Sequence, residues 1–430
     1  MIIRNAEIEG VVTDVQLADG AIAKIGRGIS GDKYFDAKGG VLIPGLHDHH
    51  IHLNATAAAM NSVRCGPPEV NSEAELIQAL NASGEGWLRG VGYHHSVAGE
   101  IDRKWLDKHG PKRPVRIQHR SGRLWILNSL AMAKMSITKP SNGRLLDGDV
   151  SLRGKSHFPD LTPLVNRLLS YGMTGVTEVT PSNGLVEYEN YLQAAKPLRL
   201  SIMGRAELSS SQSQHLKLHY HDHDLPPLDD LAAEVKQAHD AGRNVAAHCV
   251  TRAELMLTLA AIDMAGPIYG DRIEHAAIAD DAAIDWMKKL GVIVVTQPNF
   301  ITEREAAYVK DVPFEDHRNL WRLKAFHEAG LKLAAGSDAP FGDPNPWAAM
   351  AAAVARPAGF EAEAITPEEA LEIYTKPFDD AGADARIVVV GEPADLCLLD
   401  RSWLKARQSF SDVKVQATWI TGELVYNGVD

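Results

Sequence analysis

The chain has 430 residues, 45% of them hydrophobic and 23% charged, an ordinary globular composition that excludes a mainly disordered or fibrous protein. Its 44 basic and 56 acidic residues leave a net charge of −12, the wrong sign for a nucleic-acid surface. Three widely spaced cysteines, Cys65, Cys249 and Cys397, offer no disulfide framework. No secretory leader pattern or long apolar run is visible, so the expectation is a cytoplasmic protein with no membrane partner.

From the start, residues 1–42 alternate apolar and polar positions, and Asp19-Gly20 separates VQLA from AIAKIG as a hairpin turn would. The same language returns at the end in RIVVV, ADLCLLD and VKVQATWITGELVY. Between them, short apolar runs alternate with helical patterns. Strands are predicted at 41–52, 174–180, 198–206, 215–220, 244–249, 272–276, 292–297 and 331–338. A helix is predicted between 227 and 242, and Thr366-Pro367-Glu368-Glu369 opens another with a capping box. Eight strands with intervening helices predict an α/β fold, a (β/α)₈ barrel over 43–385. The barrel span exceeds the about 250 residues typical of the fold. The excess predicts an insertion subdomain at about 54–172, since a crossover of that length must carry structure of its own. Residues 1–42 and 386–430 are left to form a second, all-β domain.

Eighteen histidines stand out, four in HDHHIH (His47 to His52) and four in HLKLHYHDH (His215 to His223). In a barrel, functional side chains gather at the C-terminal ends of the strands. Side chains alternate faces along a strand, so Asp48, His50 and His52 share one face while His47 and His49 take the other. His50 and His52 lie nearer the strand end and are the candidate metal ligands; His47 and His49 read as supporting residues. In the fourth strand an inward Lys217 sits between Leu216 and Leu218. A buried lysine is expensive as a cation, and its neutral amine can take up CO₂ to give a carbamate that bridges two ions. His219 and His221 compete with it as ligands. His248 and His275 end two successive strands, and Asp338 ends the eighth. Imidazole and carboxylate donors suit Zn²⁺ among several divalent ions, and the residues alone do not choose between them.

In this order the residues resemble the amidohydrolase superfamily. The likeness rests on PGLHDHHIH with its Pro-Gly…Asp-x-His-x-His pattern, Lys217, His248, His275 and Asp338, with both tails similar to the family's β-sandwich. RPVRIQHRSGRLWILNS, GVTEV, DRIEHAAI, VTQPNF and GSDAPFGDPNPW resemble the branch containing N-substituted formamide deformylase. The resemblance implies one or two divalent ions, Zn²⁺ foremost: His50, His52 and Asp338 hold one, His248 and His275 the other, and carboxylated Lys217 bridges them. The chain departs from that branch after His248 (CVTRAE) and after Lys217 (LHYHDHD), both beside the expected pocket.

The implied chemistry is hydrolysis of an amide-like C–N bond (N-acyl, N-formyl or cyclic amide) by metal-activated hydroxide. Asp338 serves as general base and then acid, and His275 is a candidate for stabilising the oxyanion. His94, His95, Arg120, Arg123 and Trp125 in the insertion combine groups suited to a carboxylate-bearing or aromatic small molecule. Alternatives are a mononuclear zinc deaminase, for which Glu254 is the nearest glutamate after His248, a lactonase on the same barrel, and an inactive barrel serving as a scaffold. A homo-oligomer is compatible with the sequence.

Overall fold

The computed structural model describes residues 1–81, 85–146 and 158–428. The chain divides into two compact units, one made of Met1–Leu53 with Leu161–Asp430 and the other of Asn54–Asp160.

The first unit is α/β. Each of the eight central strands predicted has a counterpart, Asn244–Cys249 with the predicted bounds and the others shorter. Leu46–Ile51, Met173–Glu178 and Arg199–Ile202 form one parallel sheet. His215–Leu218, Asn244–Cys249, Arg272–His275, Ile293–Thr296 and Lys332–Ala335 form another. Backbone bonds join the two sheets at both edges: Lys217 N donates to Gly204 O at 2.9 Å, and Asp338 N donates to His50 O at 2.7 Å. These strands are buried along nearly their whole length, which explains why they read as apolar runs rather than alternating ones.

Helices cover them by amphipathic patterning. Leu228–Asp240 buries Leu231, Ala232, Val235 and Ala238 on one face. Each leucine or valine so buried contributes about 1.5–3 kcal/mol. Asp281–Leu290 is capped by Asp280 and ends at a left-handed Gly291. The predicted capping box at Thr366 and Glu369 is present and opens Pro367–Glu372.

The predicted first strand divides. Leu42–Pro44 pairs with Leu396–Leu399 in a four-stranded antiparallel sheet, and after Gly45 the chain continues as Leu46–Ile51. A second four-stranded sheet contains the hairpin at Asp19-Gly20, where Val11–Ala18 pairs with Ala21–Gly26. Ile3, Val15 and Leu17 share one buried cluster with Leu396, Leu398 and Trp419, so both tails contribute to one core. RIVVV forms no strand: its β-branched side chains signal strand propensity, but Ile387 and Val390 are exposed and have no ladder to join.

The second unit contains a five-stranded sheet. Val63–Arg64, Leu88–Tyr93 and Val115–His119 run parallel, and Leu124–Leu127 and Arg144–Leu146 complete it antiparallel. Its core is built around Leu76, Leu80, Leu88, Leu106, Ile117 and Ile126. The helix Thr162–Ser170 belongs to the first unit rather than to this one. Among the described residues, no helix is long and apolar enough to cross a membrane.

Candidate metal centre

The ends of the first and eighth parallel strands meet through their backbones. Asp338 N donates to His50 O, and His52 N donates to Ala339 O at 2.9 Å. Gly336 permits this approach, because a Cβ there would lie 2.5 Å from both the backbone nitrogen and Cβ of His50. Asp48 braces the same junction, its Oδ1 accepting from His50 N and Ser337 N at 3.0 Å each. Asp48 thus holds the strands and is not one of the gathered donors, although it shares the face of His50 and His52 by parity.

His50 Nε2 and His52 Nε2 each lie 3.3 Å from Asp338 Oδ1. The other edge of each ring is occupied: His50 Nδ1 bonds Glu274 Oε2, and His52 Nδ1 lies 2.9 Å from Thr180 Oγ1. Donor atoms of His50, His52 and Asp338 all fall within 4.8 Å of one another. Burial alone raises a carboxyl, yet hydrogen bonds from His50 and His52 hold Asp338 well below the usual carboxylate range. Burial pulls His50 down, but Glu274 and Asp338 lift it above its ordinary value.

A second convergence adjoins the first. His275 Nε2 lies 3.0 Å from His248 Nδ1, and His275 Nδ1 lies 2.7 Å from Gln297 Oε1. The rings of His50 and His275 are 4.7 Å apart, centre to centre. Burial, then the neighbouring His50, pushes His275 down to about 3, and burial with His275 holds His248 well below its ordinary value. Both are neutral imidazoles, as metal ligands must be. Lys217 is buried, its Nζ has no hydrogen-bond partner among the described residues, and burial lowers its pKa against the pull of Glu274. His219 and His221 also bring a nitrogen within 4.8 Å of His248, although His219 is exposed.

These donors fit divalent ions: two imidazoles and a carboxylate in one set, two imidazoles nearly touching in the next, and an unpaired buried amine on the strand that pairs with His248's strand. His275 and Asp338 both adopt left-handed backbone, with φ of 72° and 52°. That conformation is uncommon for residues with a Cβ and concentrates at functional sites.

Glu274 escapes the sequence reading. It is fully buried between His50 and Arg272, whose Nε donates to Glu274 Oε1 at 2.9 Å and whose second guanidinium arm reaches His49 O at 2.9 Å. The available signal was a doubly charged RIE segment in a strand with no solvent face. Glu254 is committed elsewhere: it closes the capping box of Arg252–Ala265, accepting from Val250 N at 2.8 Å and Thr251 N at 3.0 Å.

His94, His95, Arg120, Arg123 and Trp125 all lie in the second unit. Trp125 is buried, with the Arg89 and Arg116 guanidinium groups 5.3 and 5.4 Å from its ring centres. Arg120 is exposed and Arg123 half-buried. The rings of His94 and His95 lie 3.9 Å apart at a tilt of 46°, and both come together with His119.

Residues 33–426 match the Amidohydrolase family, and the chain belongs to it. It is therefore a metal-dependent hydrolase acting on carbon–nitrogen bonds other than peptide bonds. Among its relatives is N-substituted formamide deformylase of Arthrobacter pascens, 24% identical over 91% of this chain and 89% of that protein. An uncharacterised metal-dependent hydrolase from Pyrococcus horikoshii has a similar fold, with a TM-score of 0.78, 20% identity and coverage of 95% and 98% of the two chains. The 5-methylcytosine deaminase of Klebsiella pneumoniae is also similar in fold, with a TM-score of 0.62, 16% identity and coverage of 100% and 99%.

Proposed function

We propose that the protein hydrolyses a small amide of the N-formyl or N-acyl type, or a cyclic amide, at the site built on His50, His52 and Asp338. The observation that carries this reading is the shared approach of both Nε2 atoms to Asp338 Oδ1 at 3.3 Å, with each ring's other nitrogen already anchored. In this reading these three residues hold one divalent ion, zinc foremost, and His248 with His275 hold a second. Lys217 bridges them as a carbamate, formed when its neutral amine adds CO₂ and releases one proton. A divalent ion bound there lowers the pKa of water and polarises a carbonyl oxygen.

The chain's own groups do the rest. Asp338, held ionised by its two histidines, accepts the proton of the attacking water and returns it to the departing amine nitrogen. Gln297 Oε1 can only accept, so His275 carries its proton on Nδ1 and Nε2 presents a lone pair beside His248; we therefore assign it to the second ion rather than to the oxyanion. A cavity of about 580 Å³ begins two residues past both His248 and His275 and is lined by Val250, Met256, Ile278, Tyr308 and Val312. Its apolar wall suits a hydrophobic N-substituent, and this agrees with the chemistry named for the Arthrobacter pascens relative.

The same reading takes the eight parallel strands as a closed (β/α)₈ barrel, flanked by a β-sandwich of both tails. Three buried free cysteines suit a reducing compartment such as the cytoplasm. A deaminase mechanism needing a glutamate after His248 is disfavoured, because Glu254 serves as a helix cap.

The test is hydrolysis of a panel of N-formyl, N-acyl, cyclic-amide and lactone compounds by zinc-loaded protein, with bound metal counted. Turnover of amides with two ions per chain is the expected result. One ion per chain with deamination of an aminated heterocycle would sink this reading, and lactone turnover alone would move it to esters.

A further inference from the structure

The unit Asn54–Asp160 carries a convergence of imidazoles of its own. His94, His95 and His119 each offer a ligand atom, and the three atoms lie within 4.8 Å of one another. Two neighbouring parallel strands deliver them. Leu88–Tyr93 pairs with Val115–His119 so that Tyr93 stands opposite His119, and Arg120 N donates to Tyr93 O at 2.8 Å. The chain therefore leaves both strands at the same edge, with His94 next after one and His119 closing the other. His95 begins the short helix His95–Ala98 against the ring of His94, and the rings of His94 and His119 lie 5.8 Å apart.

One device is used twice. The segments are His94-His95-Ser96 and His119-Arg120-Ser121, and each serine grips the Nδ1 edge of the histidine two residues before it. The hydroxyl and backbone nitrogen of Ser96 lie 2.8 and 3.3 Å from His94 Nδ1. Those of Ser121 lie 2.9 and 3.1 Å from His119 Nδ1. The backbone N–H groups of Ser96 and Ser121 donate to these Nδ1 atoms, so the free rings carry their proton on Nε2. An ion bound through Nε2 would shift that proton to Nδ1, where the serine hydroxyl can accept it in place of the backbone donation.

We propose that this unit binds a divalent transition-metal ion of its own on His94, His95 and His119. The donor set contains no carboxylate, so it favours ions that take imidazole, such as Zn²⁺, Ni²⁺, Co²⁺ or Cu²⁺, over Mg²⁺ and Ca²⁺. Three protein donors leave a fourth position, and the exposure of His95 opens it to solvent or to a ligand group. The binding roles expected of His94 and His95 then run through an ion.

The test uses full-length protein stripped with a chelator and titrated with zinc against a chromophoric competitor. The expected result is one more equivalent bound by the unsubstituted chain than by His119→Ala or His95→Ala, each shown to be folded by circular dichroism. Ser121→Ala should keep that equivalent and weaken it by about 10–100-fold. A chain carrying His50→Ala and His52→Ala should still bind it, which separates this site from the proposed centre in the first unit. Equal zinc equivalents in the unsubstituted chain, His95→Ala and His119→Ala would overturn the proposal, as would equal loss in the control His109→Ala.

Discussion

Glu274 bonds Nδ1 of His50 through one carboxylate oxygen and receives Arg272 through the other. Burial alone would raise its pKa, but Arg272, Lys217 and His50 hold it well below the usual range. An ionised carboxylate fixes the His50 tautomer and makes its Nε2 a stronger donor. Glu274→Gln should lower zinc affinity by about 10–100-fold, measured by chelator competition. Glu274→Ala should also cost about 3–5 kcal/mol of stability in urea unfolding, because it leaves the Arg272 guanidinium buried and unpaired. Unaltered zinc affinity in both variants would show that the pair serves the fold alone.

Asp338 carries two proposed duties, ligand and proton acceptor. Asp338→Asn keeps the shape and one oxygen donor but cannot accept the proton. Its kcat should fall by about 10²–10⁴-fold when assayed at saturating metal. Full activity with a complete metal complement would remove Asp338 from the chemistry.

Lys217 supplies a test of the bridge. Lys217→Ala should bind at most one tightly held ion per chain, and added acetate, a carboxylate small enough for the vacated space, should partly restore the second ion and the activity. Two ions retained without any additive would pass the role to His219 and His221, which also approach His248.

His215 lies at the other end of Lys217's strand and is buried, with Nε2 3.0 Å from Gly270 O. Burial depresses its pKa to about 3 from the ordinary 6.5. Between those values the unfolded chain binds a proton that the folded chain refuses, so stability rises with pH across the window and is lost on acidification. Going from pH 8 to pH 5 this one residue should cost about 2 kcal/mol. His215→Gln should shrink the pH 8 to pH 5 difference in urea unfolding by about that amount; an identical pH dependence in both proteins would refute it.

Gly336 is a steric test. Gly336→Ala would drive a Cβ against the backbone of His50, an atom that cannot swing aside. The expected outcome is loss of the ion held by His50, His52 and Asp338 together with a lowered Tm, whereas Gly26→Ala, with open space around its Cβ and no left-handed backbone, should retain both the ion and the Tm.

The strands were legible in the sequence because both faces are buried and their apolar runs are short and bounded. His50 and His52 were legible as a His-x-His pair at the end of an apolar run, although the register of Leu46–Ile51 against Met173–Glu178 shifts twice. Parity fails beyond the last ladder bond. His275 and Asp338 turn into left-handed backbone, and their aim is set by Gln297, His248 and the first strand, all distant in sequence. Glu274 was invisible for a related reason: its partner His50 lies 224 positions away. RIVVV shows the converse, a strong local preference with no neighbouring strand to satisfy it.

Gly45 alone separates Leu42–Pro44, which pairs with Leu396–Leu399, from the strand that ends in His50 and His52. The histidines thus emerge from the ribosome long before the strand that anchors their N-terminal side. During synthesis His52 waits through 286 residues before Asp338 arrives and 345 before Cys397. On the proposed ligand set, a nascent chain stalled before Asp338 should be unable to retain an ion at His50 and His52.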